Sequence, residues 1–276
     1  LGDLSITNGG PTPTVALLAN GPAINRGTNL VDITTDQRGQ ARVSVGAPDA
    51  GAYELIAIES ALVTTTNDEY NGTSDARFGT GTSMREALYC TSAALVQVSS
   101  NLTGQTLELT MVGDTQFGNT ALLLTNQGSR FITASSAPRA TLRVNSPVPM
   151  RHFRVASGAT VVLQFITLAG GQATNGGVAY NQGTLAISQA ALVSNTASEA
   201  GGVVFVESNA ILRVTSSTLS GNSAGVWGGA VANRGTNLFQ YVTFAGNRAA
   251  SGGGAIYNEA GSAPSTLLAS IVAANT

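Results

Sequence analysis

The chain has 276 residues, of which 43% are hydrophobic and 10% are charged, and its formal net charge is −2. All 13 basic residues are arginines without clustering, which argues against nucleic acid or an anionic membrane surface as a partner. Cys90 and His152 are the only residues of their types, so no internal disulfide or Cys/His zinc site can form, and we expect no cofactor and no membrane-spanning helix.

Residues 1–55 combine prolines with a local concentration of charge. The charge is concentrated in residues 35–54, at Asp36, Arg38, Arg42, Asp49 and Glu54. Two interpretations compete: a salt-bridged structural cap, or a calcium site built from the three carboxylates. The interleaved arginines favour the cap, because cations repel a metal ion.

Residues 66–87 predict a loop that leads into a short amphipathic helix around Met84 to Tyr89. The later part of the chain forms a repeat of short strands, and the ends of stacked strands invite aggregation unless another element covers them. We therefore expect this helix to close the open end of the first coil.

A repeat of about 25 residues organises the second half of the chain. Glycine pairs recur at spacings of 25, 27 and 25 residues and begin at Gly176, Gly201, Gly228 and Gly253. Alternating apolar residues in short segments separated by Gly, Asn and Ser are typical of β-strands, and the many glycines exclude helical repeats. Because no copy can bury its own apolar face, the coils must stack, and the predicted fold is an all-β parallel β-helix.

In such a stack each residue lies above its counterpart in the previous coil, so repeated side chains form columns. The first predicted column is an asparagine ladder of Asn195, Asn222, Asn247 and Asn275, whose amides would satisfy polar groups at a corner. The second is an aromatic stack of Tyr180, Phe205 and Tyr257, which Ala232 interrupts. The third is a solvated ion ladder of Glu207, Arg234 and Glu259.

No residue of the repeat is expected to be catalytic. Glu207 and Glu259 could be proposed as an acid and base pair, but they lie two coils apart, about 10 Å by strand spacing. Residues 115–276 also contain no aspartate, whereas perturbed carboxylates mark active sites. The G-x-S-x-G pattern at residues 221–225 falls on an asparagine corner instead of a strand-to-helix turn. Lone His152 is expected on the surface or in a lateral loop.

Three segments resemble known families. Residues 81–88, GTSMREAL, resemble the CSLREA motif, with Arg85 and Glu86 in matching places and Thr82 and Met84 replacing its cysteine and leucine. A resemblance to the closing part of choice-of-anchor Q domains is carried by two segments, NGGPTPTVALLANGPAINRG and TDQRGQARVSVGAPDAGAYE. The GGA-I and F-x-x-N phrases are similar to repeats of chlamydial polymorphic outer-membrane proteins. The resemblance implies a right-handed, pectin-lyase-like β-helix in bacterial secreted or surface proteins, with Arg85 and Glu86 in a capping motif.

The order of these segments predicts three regions. They are a closing segment of a preceding unit at 1–57, a CSLREA-like cap with the first coils at 58–112, and β-helix repeats, cut at their C-terminal end, at 113–276. We expect a non-catalytic scaffold that is secreted or lies at the cell surface, outer-membrane association included. We expect it to bind glycans or surface proteins of a host or neighbouring cell. The alternative is a polysaccharide lyase or glycoside hydrolase with its site in the lateral loops 113–152 or outside this fragment.

Overall fold

The computed structural model describes residues 60–125, 129–134 and 138–276 as continuous segments. Among the first 59 residues it describes positions 4–5, 11–15, 17, 23, 26–28, 33–39, 42 and 48–54. Across all of the described residues, the secondary structure is almost entirely β-strand. Near the N-terminus, Leu4–Ser5 and Thr14–Val15 pair in an antiparallel two-stranded sheet.

Four parallel sheets run along the molecule, numbered here in the order in which one coil visits them. Sheet 1 contains Ser60–Val63, Leu95–Val98, Ser129–Thr133, Thr160–Gln164, Thr184–Ser188, Ile211–Thr215, Thr236–Gln240 and Thr266–Leu268. Sheet 2 contains Thr106–Leu109, Ala140–Val144, Ile166–Ala169, Ala191–Val193, Thr218–Ser220, Thr243–Ala245 and Ile271–Ala273. Sheet 3 contains Gln172–Asn175, Thr196–Ala200, Ser223–Ala224 and Arg248–Ala249. Sheet 4 contains Thr120–Leu124, Arg151–Val155, Ala179–Asn181, Val204–Val206, Val231–Asn233 and Ile256–Asn258.

Successive strands of each sheet come from successive coils, and their apolar residues are in register. In sheet 1, Val161 pairs with Leu185, which pairs in turn with Leu212. All three side chains are at most 1% exposed, and burying each one contributes about 1.5–3 kcal/mol relative to leaving it in water. These three coils therefore share an apolar interior, with Arg130 and Asn237 at the same place in the coils on either side. The predicted all-β parallel β-helix is confirmed.

The glycine pairs lie at the corner between sheets 3 and 4. The first glycine of each pair has φ between +63° and +68°, a left-handed conformation that a side chain disfavours. The second glycine touches the next coil: a Cβ on Gly177 would lie 2.4 Å from the carbonyl oxygen of Gly202. The pair recurs because each coil repeats both the turn and the close contact.

The helix Met84–Tyr89 packs beside the first two strands of sheet 1, so the expected capping helix is present. Ser83 is its N-cap: the Ser83 hydroxyl accepts from the Glu86 amide, and the Glu86 carboxylate accepts from the Ser83 amide. The polar residues Arg85 and Glu86 of this helix are not exposed, because residues 84–88 are all buried. The preceding loop covers the polar side, as the Asn71 amide donates to Glu86 Oε1 at 2.9 Å.

Candidate ligand-binding site

The outer face of sheet 4 carries a column of side chains that contains the predicted aromatic residues. Its members, one per coil, are Arg154, Tyr180, Phe205, Ala232 and Tyr257. Phe153 and Val204, which are adjacent to members of this column in their strands, point inward and are at most 1% exposed. Side chains alternate across a strand, so the column faces outward with a step of about 4.8 Å.

The aromatic rings form two separate stacks. Tyr180 lies between Phe117 and Phe205, with ring centroids 4.9 and 5.3 Å apart and interplanar angles of 12° and 15°. Tyr257 is stacked on Trp227 instead, at 4.6 Å and 22°. The structure thus brings Tyr180 and Phe205 together and keeps Tyr257 apart, because Ala232 supplies no ring between them.

Each ring of the first stack also has a guanidinium within 6 Å of its centroid. The pairs, measured from Cζ, are Arg154 with Phe117 at 5.4 Å, Arg151 with Tyr180 at 5.2 Å and Arg234 with Phe205 at 4.9 Å. Cation–π contacts contribute about 0.5–2 kcal/mol, depending on how far the cation is desolvated. The arginines therefore help to fix the rings in place.

The residues of the predicted ion ladder run alongside the aromatic column. Arg234 Nε donates to Glu259, and Arg234 Nη1 lies 3.8 Å from Glu207 Oε1. Burial, with the hydrogen bond from its hydroxyl to Glu207, raises the pKa of Tyr180, while the Glu259 hydrogen bond raises the pKa of Arg234. The side chains of Arg234 and Glu259 are 41% and 47% exposed, so this pair contributes at most about 1 kcal/mol.

A groove of about 470 Å³ opens where Ala232 replaces a ring in the column. Phe205 lies on one side of Ala232 along the column, and Tyr257 lies on the other with Trp227 stacked on it. The polar residues of its lining are Asn175, Glu199, Asn233, Arg234 and Glu259. Trp227 is 37% exposed, so an aromatic surface is available to a ligand.

Sequence reasoning missed Phe117 and Trp227. Trp227 stands immediately before a glycine pair, and its counterparts in adjacent coils are the small residues Ala200 and Gly252. The repeat alignment could have placed it beside the aromatic column, with space for its ring. Phe117 comes from the irregular turn before the first strand of sheet 4, where no repeat guides an alignment.

The four asparagines of the predicted ladder lie in single file at the corner between sheets 2 and 3. Nδ2 of each donates to Oδ1 of the next, at 3.1, 2.9 and 2.8 Å, in the order Asn195, Asn222, Asn247 and Asn275. The first three are at most 1% exposed. The main-chain amide of Gly171, the residue at this place one coil earlier, donates to Asn195 Oδ1 at 3.0 Å. Their hydrogen bonds are internal, which is the arrangement of a structural element.

Arg85 and Glu86, the residues assigned to the capping motif, have different partners. Arg85 forms a bidentate pair with Asp68, through Nε to Oδ1 at 2.8 Å and Nη2 to Oδ2 at 2.9 Å. It also donates to the carbonyls of Ala121 at 2.8 Å and Met111 at 2.7 Å. Arg85 thereby ties the helix to its preceding loop and to the first coil, while Glu86 belongs to the capping box.

The carboxylates of Asp36 and Glu54 in the N-terminal segment are bonded to arginines and main-chain amides. Asp36 pairs with Arg38 at 2.7 Å, and Glu54 pairs with Arg42 at 2.9 Å and accepts from the Asp49 amide at 2.8 Å. Across the described residues no group of three or more His, Cys, Asp or Glu side chains is placed to hold a metal ion. Asp36 and Glu54 are therefore ion-paired, and the Asp49 main chain joins the same cluster through its amide and through its carbonyl, which accepts from Arg42 at 2.9 Å.

His152 is not at the surface, contrary to expectation. Its side chain is 0% exposed, and Nε2 lies 3.0 Å from the carbonyl oxygen of Leu142. Burial lowers its pKa to about 4, so the ring is neutral at pH 7. His152 packs into the corner beside Gly171. The arginines on either side of it in the sequence do not indicate this burial.

The fold and these columns define the chain as a parallel β-solenoid repeat protein. Residues 241–259 match the Chlamydia polymorphic membrane protein repeat. This segment spans most of one coil and includes Asn247 and Tyr257, together with a glycine pair. Comparison with curated proteins and with solved structures finds no significant match. The described part of the chain has no helix with the length and hydrophobicity needed to cross a bilayer.

Proposed function

We propose that this chain is a surface-displayed β-helical scaffold that binds glycans in the groove beside Ala232. The observation that carries the proposal is the combination of exposed Trp227 with Phe205 and Tyr257 and a rim of carboxylate, amide and guanidinium groups. A sugar ring has a C–H face that packs on an aromatic ring and hydroxyls that exchange hydrogen bonds with polar groups around it. The groove offers both kinds of contact together.

The matched repeat supports the proposed location. The polymorphic membrane protein repeat points to a surface or outer-membrane protein, and a rigid solenoid suits display because its outer columns are fixed by the stacked coils. We further propose the division into regions 1–57, 58–112 and 113–276, with the first two serving as a closing segment and a cap. Adhesion requires only that the groove bind its ligand, so this function needs no catalytic residue in the groove.

The test uses Trp227, the single tryptophan of the chain, as a reporter inside the groove. Titration with neutral and acidic oligosaccharides is expected to change its fluorescence in a saturable way with at least one of them. Phe205→Ala keeps the reporter and removes a ring from the groove wall, so affinity should fall by about tenfold. Phe131→Ala is the matched control, because Phe131 is a 38% exposed phenylalanine of sheet 1.

Two outcomes contradict the proposal. A fluorescence that stays constant with every oligosaccharide, or equal affinities for the Phe205→Ala and Phe131→Ala variants, removes the groove as a glycan site. Release of reducing sugars or unsaturated uronates from polysaccharides favours the alternative, a lyase or glycoside hydrolase with its site in the lateral loops 113–152.

A further inference from the structure

A second site lies at the N-terminal end of the aromatic column, around Arg151. Its side chain is 0% exposed, and its Nη2 donates to the Phe117 carbonyl at 2.6 Å. Its Nε and Nη1 are buried and have no hydrogen-bond partner among the described residues. A guanidinium presents five N–H donors, and those on Nε and Nη1 face no hydrogen-bond acceptor of that part of the chain. The Tyr180 ring, 5.2 Å from Cζ, is an aromatic face and not a hydrogen-bonding oxygen.

The carboxylate near this guanidinium is already engaged. Asp114 is held by Arg154 in a bidentate pair, with Nε to Oδ2 at 2.7 Å and Nη2 to Oδ1 at 3.1 Å. Burial lowers the pKa of Arg151 to about 10, which still leaves it protonated at neutral pH. A buried, charged and incompletely bonded guanidinium is unfavourable unless an anion pairs with it.

We propose that Arg151 binds an oxyanion, namely a carboxylate, sulfate or phosphate group that is free or attached to a glycan. The planar fork of arginine fits two oxygens of such a group. Asp114 balances the charge of neighbouring Arg154, so the charge of Arg151 is the one left for the anion. Arg151 is covered by the short turn 115–118, which includes the Phe117 carbonyl and approaches the guanidinium at Gly118. The residues of this turn are exposed, so a shift of the turn admits the anion.

The oxyanion site adjoins the groove but does not depend on it. Tyr180 lines the groove and has the Arg151 guanidinium over its ring at 5.2 Å. A glycan with an acidic substituent could therefore contact both sites. Of the two sources of the anion, only this one rests on the proposed glycan function. Binding of a free oxyanion needs only Arg151 and its surroundings.

The experiment compares thermal unfolding in sodium sulfate and in sodium chloride at equal ionic strength. At about 100 times the dissociation constant, sulfate should raise the melting temperature of the wild type by about 5 °C more than that of Arg151→Met. Arg213→Met, which removes an exposed arginine of sheet 1, should respond like the wild type. General stabilisation by sulfate acts on all three proteins alike, so it cancels in the comparison.

Equal responses of the wild type and Arg151→Met overturn the proposal and indicate that water satisfies the free donors. Arg151→Lys keeps the charge and loses the fork, so it provides a second variant if Arg151→Met does not fold, and its sulfate affinity should fall by about tenfold. Unchanged affinity in Arg151→Lys also contradicts the site.

A sulfated oligosaccharide distinguishes the two sources of the anion. If the anion belongs to a glycan, this probe should raise the melting temperature and change Trp227 fluorescence at the same concentration, whereas free sulfate should act on melting alone. If the groove binds no glycan, the response of Arg151 to free sulfate remains measurable. Failure of the glycan proposal is therefore separate from failure of the oxyanion site.

Discussion

Replacing Asn222 by alanine removes the centre of the asparagine ladder. Asn222 is 1% exposed, and its Oδ1 accepts from the amide and the Nδ2 of Asn195 at 2.9 and 3.1 Å. Its Nδ2 donates to the Leu192 carbonyl and to Asn247 Oδ1, both at 2.9 Å. Asn195 Nδ2 and Asn247 Oδ1 keep other partners, but the Asn195 amide and the Leu192 carbonyl lose these bonds. At about 1–3 kcal/mol for each of these two buried groups, the free energy of unfolding should fall by about 2–6 kcal/mol.

The assay is urea unfolding followed by circular dichroism and by Trp227 fluorescence. Two probes are needed because coils of a solenoid can separate in part, and coincident transitions justify a two-state free energy. Asn145→Ala is the matched control: Asn145 is exposed after a strand of sheet 2, and its loss should change stability by less than about 0.5 kcal/mol. A decrease below about 1 kcal/mol for Asn222→Ala, at unchanged urea dependence, refutes the assigned hydrogen-bond energies.

Three further results are expected. Arg85→Met leaves the buried Asp68 carboxylate unpaired, since the two side chains are 5% and 0% exposed, and should lower the unfolding free energy by about 3–5 kcal/mol in the same urea assay. The pKa of His152 is about 4 in the folded chain, against 6.5 for the ordinary group. Between pH 4 and pH 6.5 the imidazole is therefore protonated in the unfolded chain and neutral in the folded one. Stability should be complete above pH 6.5 and fall by about 3 kcal/mol as the pH drops to 4, a slope that His152→Gln removes. Cys90 is 1% exposed and burial raises the pKa of its thiol, so a disulfide reagent should label it slowly when folded and rapidly in urea; fast native labelling contradicts its burial.

The period of the repeat was enough to predict the fold, because like residues stack only when successive coils are in register. Counting back ten residues from the asparagine place, held by Gly171, Asn195 and Asn222, aligned Val161 with Leu185 and Leu212. The structure pairs these three residues. The corner between sheets 1 and 2 was not predictable in this way. Its residues have φ from +45° to +55° without being glycine, and they are Phe165, Gln189, Ser216, Tyr241 and Ala269. The stacked sheets on either side impose this conformation, which costs about 1–2 kcal/mol per residue.

The acidic residues show how far the sequence leads for the site. Adjacency of Glu207, Arg234 and Glu259 followed from the spacing of the repeat, whereas the groove next to them did not. The groove depends on Trp227 turning onto Tyr257 and on the absence of a ring at Ala232. His152 illustrates the opposite error: two neighbouring arginines suggest a polar position, yet the corner buries the ring completely.

The sequence by itself determined which residues share a column, because a fixed period and a fixed strand spacing leave one alignment. Only the tertiary structure decided how neighbouring columns meet. It placed Phe117 on Tyr180 and left two nitrogens of buried Arg151 without a hydrogen-bond partner among the described residues. The physical reason is that stacking order depends on backbone hydrogen bonds repeated along the chain, whereas contacts across a corner depend on the volume and direction of individual side chains.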